Sequence, residues 1–343
     1  SIILIGNFDG VHLGHQKLFK LAQSYKKKYN LKIGVINFDP MPKMFFNRSL
    51  TNFRLSSIDQ KLVLLNNQGV DFVITKQFDK IFSKTKSINF DPMPKMFFNR
   101  SLTNFRLSSI DQKLILLNNQ DVDFVITKKF DKIFSKTKSV NFIKTILSQK
   151  LNARFIFVSN NFRFGNKREG DVNLLIQNEK RFNFKVVKPK PLLLKRKIVS
   201  SSLIRSYLEK GFLKEANKLL NRNWSIEGIV QKGRKIGKKI GFPTCNIDIG
   251  DYVLAKPGVY AVKVLRKNNA KYIKGIANLG YRPTFNQKKI LLEVHLFNFS
   301  GNLYNKYLSV EFLKFIRKEK KFKNVNQLKN QIKTDLSIAK KIK

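Results

Sequence analysis

The segment 6–15 holds two of the three histidines in the chain and follows a predicted strand. His12 and His15 are three residues apart, so they share one face of the predicted helix that begins there. Gly10 and Gly14 let a ligand approach the backbone closely. The N-terminus of a helix attracts phosphate through its N–H groups and its dipole. These residues predict a phosphate site; a metal site is the weaker alternative, because further ligands are lacking nearby.

A second group of polar residues opens the predicted helix 201–220. Ser200, Ser201 and Ser202 suit a helix N-terminus, where a serine hydroxyl caps the backbone. Arg205 lies one turn into the helix, and its fork of donors can clamp an anion. Capping and phosphate binding use the same N–H groups, so both interpretations hold for this segment.

A glycine-rich and basic segment, 228–246, contains a third set of candidates. It does not match a Walker A loop, which needs four residues between its glycines and a final GK[ST]. Its glycines and basic residues can still wrap a polyphosphate with backbone N–H groups. Thr244 and Asn246 offer oxygen atoms suited to Mg²⁺. An ordinary hairpin turn is the alternative for such a loop on its own.

Two patterns of predicted elements must position these residues. Strands and helices alternate up to about residue 220, which predicts a parallel sheet covered by helices on both faces. Short strands with turn residues follow, which predicts a small antiparallel barrel, and a helix begins near Asn326. We therefore predict two domains, 1–221 and 222–343. The predicted barrel strands are Ser225–Gln231, Gly258–Leu265, Tyr272–Leu279, Ile290–Phe297 and Leu308–Phe315.

An internal repeat occupies much of the first domain. Residues 36–87 and 88–139 are copies of 52 residues that differ at three positions. We interpret the repeat as a recent tandem duplication or an error in gene assembly. A parallel sheet has one place for the strand that follows 32–38. We expect the first copy to take it, because that copy continues a strong strand, and the other copy to protrude or add an edge strand.

Composition excludes several classes of protein. Hydrophobic residues make up 42% of the 343 residues, enough for packed cores. The one cysteine, Cys245, excludes a disulfide scaffold and a cysteine-rich zinc site. Runs of about 18 apolar residues are absent, so we expect no contact with a membrane and a cytoplasmic location. The chain begins without Met and inside a predicted strand, which suggests that it is trimmed at its N-terminus.

The net charge is +46, from 68 Lys and Arg against 22 Asp and Glu. Such a charge favours polyanionic partners such as nucleic acids. The basic residues are spread along the chain, and Lys, Asn, Ile and Phe are abundant, as AT-rich codons would produce. We favour this codon bias as the explanation and expect no specific nucleic-acid partner.

The first-domain motifs resemble those of bacterial FAD synthetases in the nucleotidyltransferase superfamily. The string 6–15 resembles the HxGH signature, 161–165 with 170–171 resembles the FRFG segment, and 199–205 resembles the ISSTxxR motif. The resemblance implies a Rossmann-like fold in which His12, His15 and Arg205 stabilise the triphosphate. It also implies that Asn161 and Phe162 hold the flavin. The ATP-binding residues it implies here are Gly6, Phe8, Asp9, Gly14, Ser200, Ser201 and Ser202.

The first domain departs from that family at one position. Its members usually carry a histidine in an FxPHP segment after the second strand. Met41 and Met93 stand there in the two copies. Methionine cannot donate a hydrogen bond to phosphate, so either this histidine is dispensable or adenylyl transfer is weakened.

The second domain resembles bacterial riboflavin kinases. The matching segments are 241–246, which resembles their GFPTxN loop, and 257–260, 278–284, 292–297 and 316–322. The resemblance implies that Glu293 is the base that deprotonates the 5′-hydroxyl of riboflavin. We expect its carboxylate to face inward at the barrel mouth, on the opposite side of the strand from Val294 and His295. We expect His295 to be structural. The resemblance further implies these ligands: Thr244 and Asn246 for the metal, Gly233, Gly237 and Lys238 for ATP, and Arg317 for the flavin.

Together the motifs predict a bifunctional riboflavin kinase/FAD synthetase. Such an enzyme phosphorylates riboflavin to FMN with ATP and Mg²⁺, and then adenylylates FMN to FAD with release of pyrophosphate. One alternative is a riboflavin kinase with an impaired first domain. Another is a basic nucleic-acid-binding protein, although the sequence lacks a recognised binding motif. The sequence does not predict an oligomeric state.

Overall fold

A computed structural model describes residues 1–6, 8–36, 117, 119–120, 124–126, 132–233, 236–250, 252–266, 271–283 and 288–342. The described residues form two compact units, which divide between Ile198 and Val199. The sequence instead places the domain boundary between 221 and 222, and that boundary stays a prediction.

The first unit is built on a parallel sheet of five strands in the order β3-β2-β1-β4-β7. Every residue of β1 and β2 is buried, as expected for strands covered on both faces. Alternate residues of β1 enter two different hydrophobic clusters, one on each face of the sheet. The predicted parallel α/β sheet is therefore confirmed. Its strands are β1 Ile2–Ile5, β2 Ile33–Ile36, β3 Phe124–Ile126, β4 Phe155–Phe157 and β7 Lys185–Val187.

Helices and two hairpins complete the described part of this unit. Helix α1 buries Phe19 and Ala22 against the sheet. The hairpins are β5 Arg163–Phe164 with β6 Gly170–Asp171, and β8 Leu193–Leu194 with β9 Lys197–Ile198. The helices are α1 Leu13–Tyr29, α2 Lys132–Ser135, α3 Ser139–Asn141 continued by the π-helix Phe142–Lys150, α4 Val172–Gln177 and α5 Glu179–Phe182, with 3₁₀ turns at Asp9–Val11 and Asn166–Arg168.

The second copy of the repeat supplies the strand beside β2. Gly34 and Val35 pair with Phe124 and Val125 of β3, and Leu117 of the same copy is fully buried in the core. Our expectation that the first copy takes this place is therefore wrong. The second copy runs directly into α3, so its strand lies close in sequence to the helix that follows it. The corresponding strand of the first copy, 71–75, lies outside the described residues.

The second unit contains a closed six-stranded barrel in the order β10-β11-β14-β13-β12-β15, with every pair antiparallel. Closure leaves the barrel without a free edge. Trp224, Leu292, Val294 and Phe312 are among the buried residues that fill it. The strands are β10 Ser225–Gln231, β11 Cys245–Asp248, β12 Gly258–Arg266, β13 Ile273–Pro283, β14 Lys288–Leu296 and β15 Tyr307–Arg317.

The predicted barrel is confirmed, although the sequence did not predict β11. This strand is only four residues long and alternates buried with half-buried residues. The C-terminal helix packs outside β12 and β13, against Val259, Ala261 and Ile276. None of the helices in the described ranges is long and apolar enough to cross a membrane. The helices of this unit are α6 Ser201–Lys210, α7 Leu213–Leu220, α8 Ile236–Lys239 and α9 Val325–Lys340.

Candidate functional sites

The connection from β1 to α1 has unusual backbone geometry. Phe8, Gly10 and Val11 have φ angles of 42°, 75° and 36°, all in the left-handed region. This region is strained for a β-branched residue such as Val11, and such strain concentrates at functional sites. A Cβ atom on Gly6 would lie 3.1 Å from the buried Phe8 ring, so the end of β1 closes tightly over it. Phe8 thus anchors a loop that brings the histidines to the end of the strand.

The structure brings the two histidines together. Their rings stack with centroids 3.8 Å apart and planes inclined by 18°. His12 is 4% exposed and precedes α1 with an extended backbone, and its carbonyl accepts hydrogen bonds from His15 N and Gln16 N at 2.8 and 3.0 Å. Phe8 lies 5.1 Å from the His15 ring. The two histidines therefore lie together at the helix N-terminus, where phosphate is favoured, but only His15 is on the helix, because His12 is its N-cap residue.

The segment 161–171 forms a compact turn in the same unit. The rings of Phe162 and Phe164 stack with centroids 5.4 Å apart. Gly165 has a φ of 79° and packs against Ser139, so a side chain there would clash with backbone atoms. The exposed Asn161 accepts a hydrogen bond from Ser159 Oγ at 2.9 Å. The contact of Asn161 and Phe162 with a flavin stays a prediction.

The three-serine segment lies in the second unit, at the start of α6. Ser200 caps this helix, and its Oγ accepts a hydrogen bond from Leu203 N at 3.3 Å. Arg205 is buried, with 3% of its surface exposed. The capping interpretation is therefore confirmed, and the anion-binding role of Arg205 stays a prediction. Its unit is not the one that contains His12 and His15.

A row of polar residues crosses three neighbouring strands of the barrel. Glu293 on β14 is paired in register with Asn246 on β11 and with Asn278 on β13. The neighbours of these residues along each strand, Cys245, Val294 and Ala277, are buried. Strand pairing alone therefore places one carboxylate between two amides.

This polar row lies on the outer face of the barrel. Ile276 shares the face of Asn278 and packs beneath α9, which lies outside the barrel. Our expectation that Glu293 faces inward, opposite to His295, is therefore wrong. Side chains alternate with a period of two along a strand, so Glu293 and His295 share a face, while Val294 points into the core. His295 Nδ1 lies 2.8 Å from Pro243 O, a contact that fits the predicted structural role.

The glycine-rich loop closes over the β11 end of this row. A Cβ atom on Gly233 would overlap the amide nitrogen of Asn246. A Cβ atom on Gly237 would overlap Phe242 O and would lie 3.3 Å from Thr244 Oγ1. Gly237 therefore packs against backbone that cannot yield to a side chain, and Gly233 lies directly against the side chain of Asn246, a predicted metal ligand. The side chain of Lys238 lies outside the described residues.

The oxygen atoms at this end of the row fit a magnesium ion. Asn246 Oδ1 is buried and accepts no hydrogen bond from the described residues, so it is an acceptor in need of a partner. Thr244 is exposed and lies two residues before Asn246, just ahead of β11. Burial raises the pKa of the intervening Cys245 to about 12, which keeps this thiol protonated. Amide and hydroxyl oxygens are hard ligands of the kind that Mg²⁺ prefers.

Arg317 makes a buried ion pair at the end of β15. Its Nε and Nη2 donate to Asp335 at 2.7 to 3.0 Å, and Asp335 is 1% exposed. Its Nη1 donates to Lys318 O at 2.9 Å. The contact of Arg317 with a flavin stays a prediction. Sequence reasoning missed Asn278 in the polar row, Glu319, which accepts a hydrogen bond from it, and Asp335, although Asn278 and Glu319 fall within segments that resemble riboflavin kinases.

Comparison with protein-family models assigns the two halves separately. The riboflavin kinase model matches residues 220–343. The FAD synthetase model matches twice, at 1–90 and 84–203, and each match includes one copy of the repeat. The duplication thus supplies part of the FAD synthetase pattern twice.

Several bifunctional riboflavin kinases/FMN adenylyltransferases are similar along nearly the whole chain. The protein of Buchnera aphidicola subsp. Schizaphis graminum is 38% identical, covering 99% of this chain and 93% of that protein. The proteins of Haemophilus influenzae and Escherichia coli K12 are 34% and 31% identical, covering 98% and 97% of this chain and 92% and 90% of those proteins.

A solved structure of a macrolide-efflux protein from Streptococcus pneumoniae covers 100% of this chain and 95% of that chain, with a TM-score of 0.73. Its sequence identity is 24%, so this likeness shows the fold alone.

Proposed function

Because the chain belongs to the family of bifunctional riboflavin kinases/FMN adenylyltransferases, we propose that it converts riboflavin to FMN and then FMN to FAD. The observation that carries the proposal is the presence of both family patterns, each on its own part of a chain that is similar to bifunctional enzymes over nearly its full length. The alternatives of a kinase alone and of a nucleic-acid-binding protein are not favoured.

The polar row of the barrel suits the kinase step. Glu293 takes the proton from the terminal hydroxyl of riboflavin as that oxygen attacks the γ-phosphorus of ATP, with ADP as the leaving group. Asn246 and Thr244 would hold Mg²⁺, which supplies neutralisation of phosphate charge when it is bound. Backbone N–H groups near Gly233 and Gly237 would contact the phosphates. Positioning of the two substrates and stabilisation of phosphate charge would therefore provide most of the rate enhancement.

The histidine pair suits the adenylyl transfer. A phosphate oxygen of FMN attacks the α-phosphorus of ATP, and pyrophosphate leaves. His12, His15 and the N-terminus of α1 would stabilise the charge that develops on the triphosphate. The resemblance of their segments to family motifs supports a role for Arg205 in the same reaction, and for Asn161 and Phe162 in binding FMN. We propose ATP, riboflavin and FMN as the ligands, and a cytoplasmic location stays a prediction.

Product analysis tests the proposal. The full chain is incubated with ATP, Mg²⁺ and riboflavin, and FMN and FAD are separated by chromatography. We expect FMN to appear first and FAD to follow. Accumulation of FMN alone, with added FMN also left unconverted, would instead indicate a kinase with an inactive first unit. Absence of both products from a folded protein would contradict the proposal altogether.

A further inference from the structure

The segment 318–324, here called the strap, joins β15 to α9 and is fixed at both ends. At its start, Arg317 is bound to the buried Asp335 of α9, which also accepts a hydrogen bond from Gln331 Nε2 at 3.0 Å. At its end, Asn324 caps α9 by accepting from Gln327 N at 2.9 Å, and Lys323 N donates to Gln327 Oε1 at 3.2 Å. Such reciprocal caps fix how a chain enters a helix.

The strap places the carboxylate of Glu319 against the outer face of β13. Glu319 Oε1 accepts a hydrogen bond from Asn278 Nδ2 at 3.2 Å. A Cβ atom on Gly280 would overlap Glu319 Oε1 and would lie 2.6 Å from its Cδ. The carboxylate therefore occupies space that exists only because residue 280 is a glycine.

This position is next to the proposed catalytic base. Asn278, which holds Glu319, is the register partner of Glu293 on β14. Glu319 is exposed and has no ion-pair partner among the described residues, although the chain as a whole carries a charge of +46. The hydrogen bond from Asn278 leaves most of the acceptor capacity of this carboxylate for other donors.

We propose that Glu319 and Asn278 position the side-chain hydroxyls of riboflavin during phosphorylation, an inference that rests on the proposed kinase function. A polyol presents a row of O–H donors, and a carboxylate with an adjacent amide offers matching acceptors and donors. Contact with an internal hydroxyl would aim the terminal hydroxyl at Glu293 across the strand pair. Glu319 is thus a substrate-positioning residue, and Arg317 and Asp335 hold it through the strap.

The variant Glu319→Gln in the full chain tests the proposal. We expect the KM for riboflavin to rise about tenfold, because a charged acceptor is lost. The KM for ATP, the Mg²⁺ dependence and the conversion of FMN to FAD should not change. Gly280→Ala is a second variant that displaces the carboxylate and keeps its charge, and it should raise the same KM. Glu215→Gln, at an exposed site on α7, is the matched control and should behave like the parent.

A riboflavin analogue that lacks one internal hydroxyl sharpens the test. The parent should lose affinity for the analogue, whereas Glu319→Gln should discriminate less between the two substrates. An unchanged KM for riboflavin in Glu319→Gln, or a shift in Mg²⁺ dependence instead, would overturn this inference. Glu293→Ala, measured in parallel, distinguishes failure of this inference from failure of the proposed kinase site. If Glu293→Ala retains normal FMN formation, the proposed kinase site itself is wrong.

Discussion

The two units present their candidate residues in different ways. In the barrel, Asn246, Glu293 and Asn278 lie side by side because antiparallel register fixes which residues are neighbours. In the first unit, His12 and His15 depend on one strained turn at a helix N-terminus. Their motif partner Arg205 belongs to the unit that contains the barrel. The comparison shows that the candidate residues of the barrel are neighbours within one unit, whereas the residues of the first-domain motifs belong to two units.

The largest expected effect separates the two activities. Glu293→Ala should lower FMN formation by at least about a hundredfold, since the base is lost, and should leave the conversion of FMN to FAD near the parent level. His15→Ala should do the reverse, because it removes charge stabilisation from the other reaction. Each variant is assayed for both products. Loss of both activities in either folded variant would contradict the assignment of one site to each motif set.

The sequence predicted the broad organisation and most of the candidate residues. The parallel sheet, the barrel and the histidine pair follow from local patterns and motifs. The predicted inward orientation of the Glu293 side chain is wrong. Alternation along the strand was sufficient to show that Glu293 and His295 share a face. Glu319 and Asp335 are placed by contacts with Asn278 and Arg317 on other segments, and local sequence does not encode such contacts. The two repeat copies have nearly the same sequence, and each is continuous with an element of the first unit, so local sequence does not distinguish the copy that forms β3.

The second prediction concerns stability of the barrel unit. Asp335→Ala should lower the free energy of unfolding by about 3–5 kcal/mol, because it leaves the largely buried Arg317 without its partner. The single tryptophan, Trp224, is buried in this unit, so its fluorescence during urea unfolding reports the loss. The double variant Arg317→Met with Asp335→Leu removes both charges and should recover much of the stability. A double variant as unstable as the single one would show that the ion pair is not the cause.

A third prediction concerns the loop at the β11 end of the polar row. Gly233→Ala should raise the KM for ATP in FMN formation about tenfold. The added methyl displaces the Asn246 amide, which would then lose its proposed contact with the Mg²⁺ bound to ATP. The KM for ATP in FAD formation should stay unchanged. Initial rates of the two reactions at fixed Mg²⁺ measure both values. Equal changes in the two reactions would argue that the loop serves more than the kinase.

The smallest effect is expected from removing one copy of the repeat. Deletion of 36–87 joins Val35 to Ile88, and deletion of 88–139 joins Ser87 to Val140, so each junction restores a sequence like the natural one. The two products differ from each other at only the three positions that distinguish the copies.

One copy is sufficient to provide β3 and the buried residue at position 117, because the other copy carries the same residues at the equivalent positions. Both variants should therefore melt at or above the temperature of the parent, since the chain loses residues whose ordering opposes folding. Thermal unfolding of the three proteins measures this, with both enzyme activities as a check on the fold. If both variants melt well below the parent, the protein needs both copies for its full stability, and the interpretation of one copy as redundant is wrong.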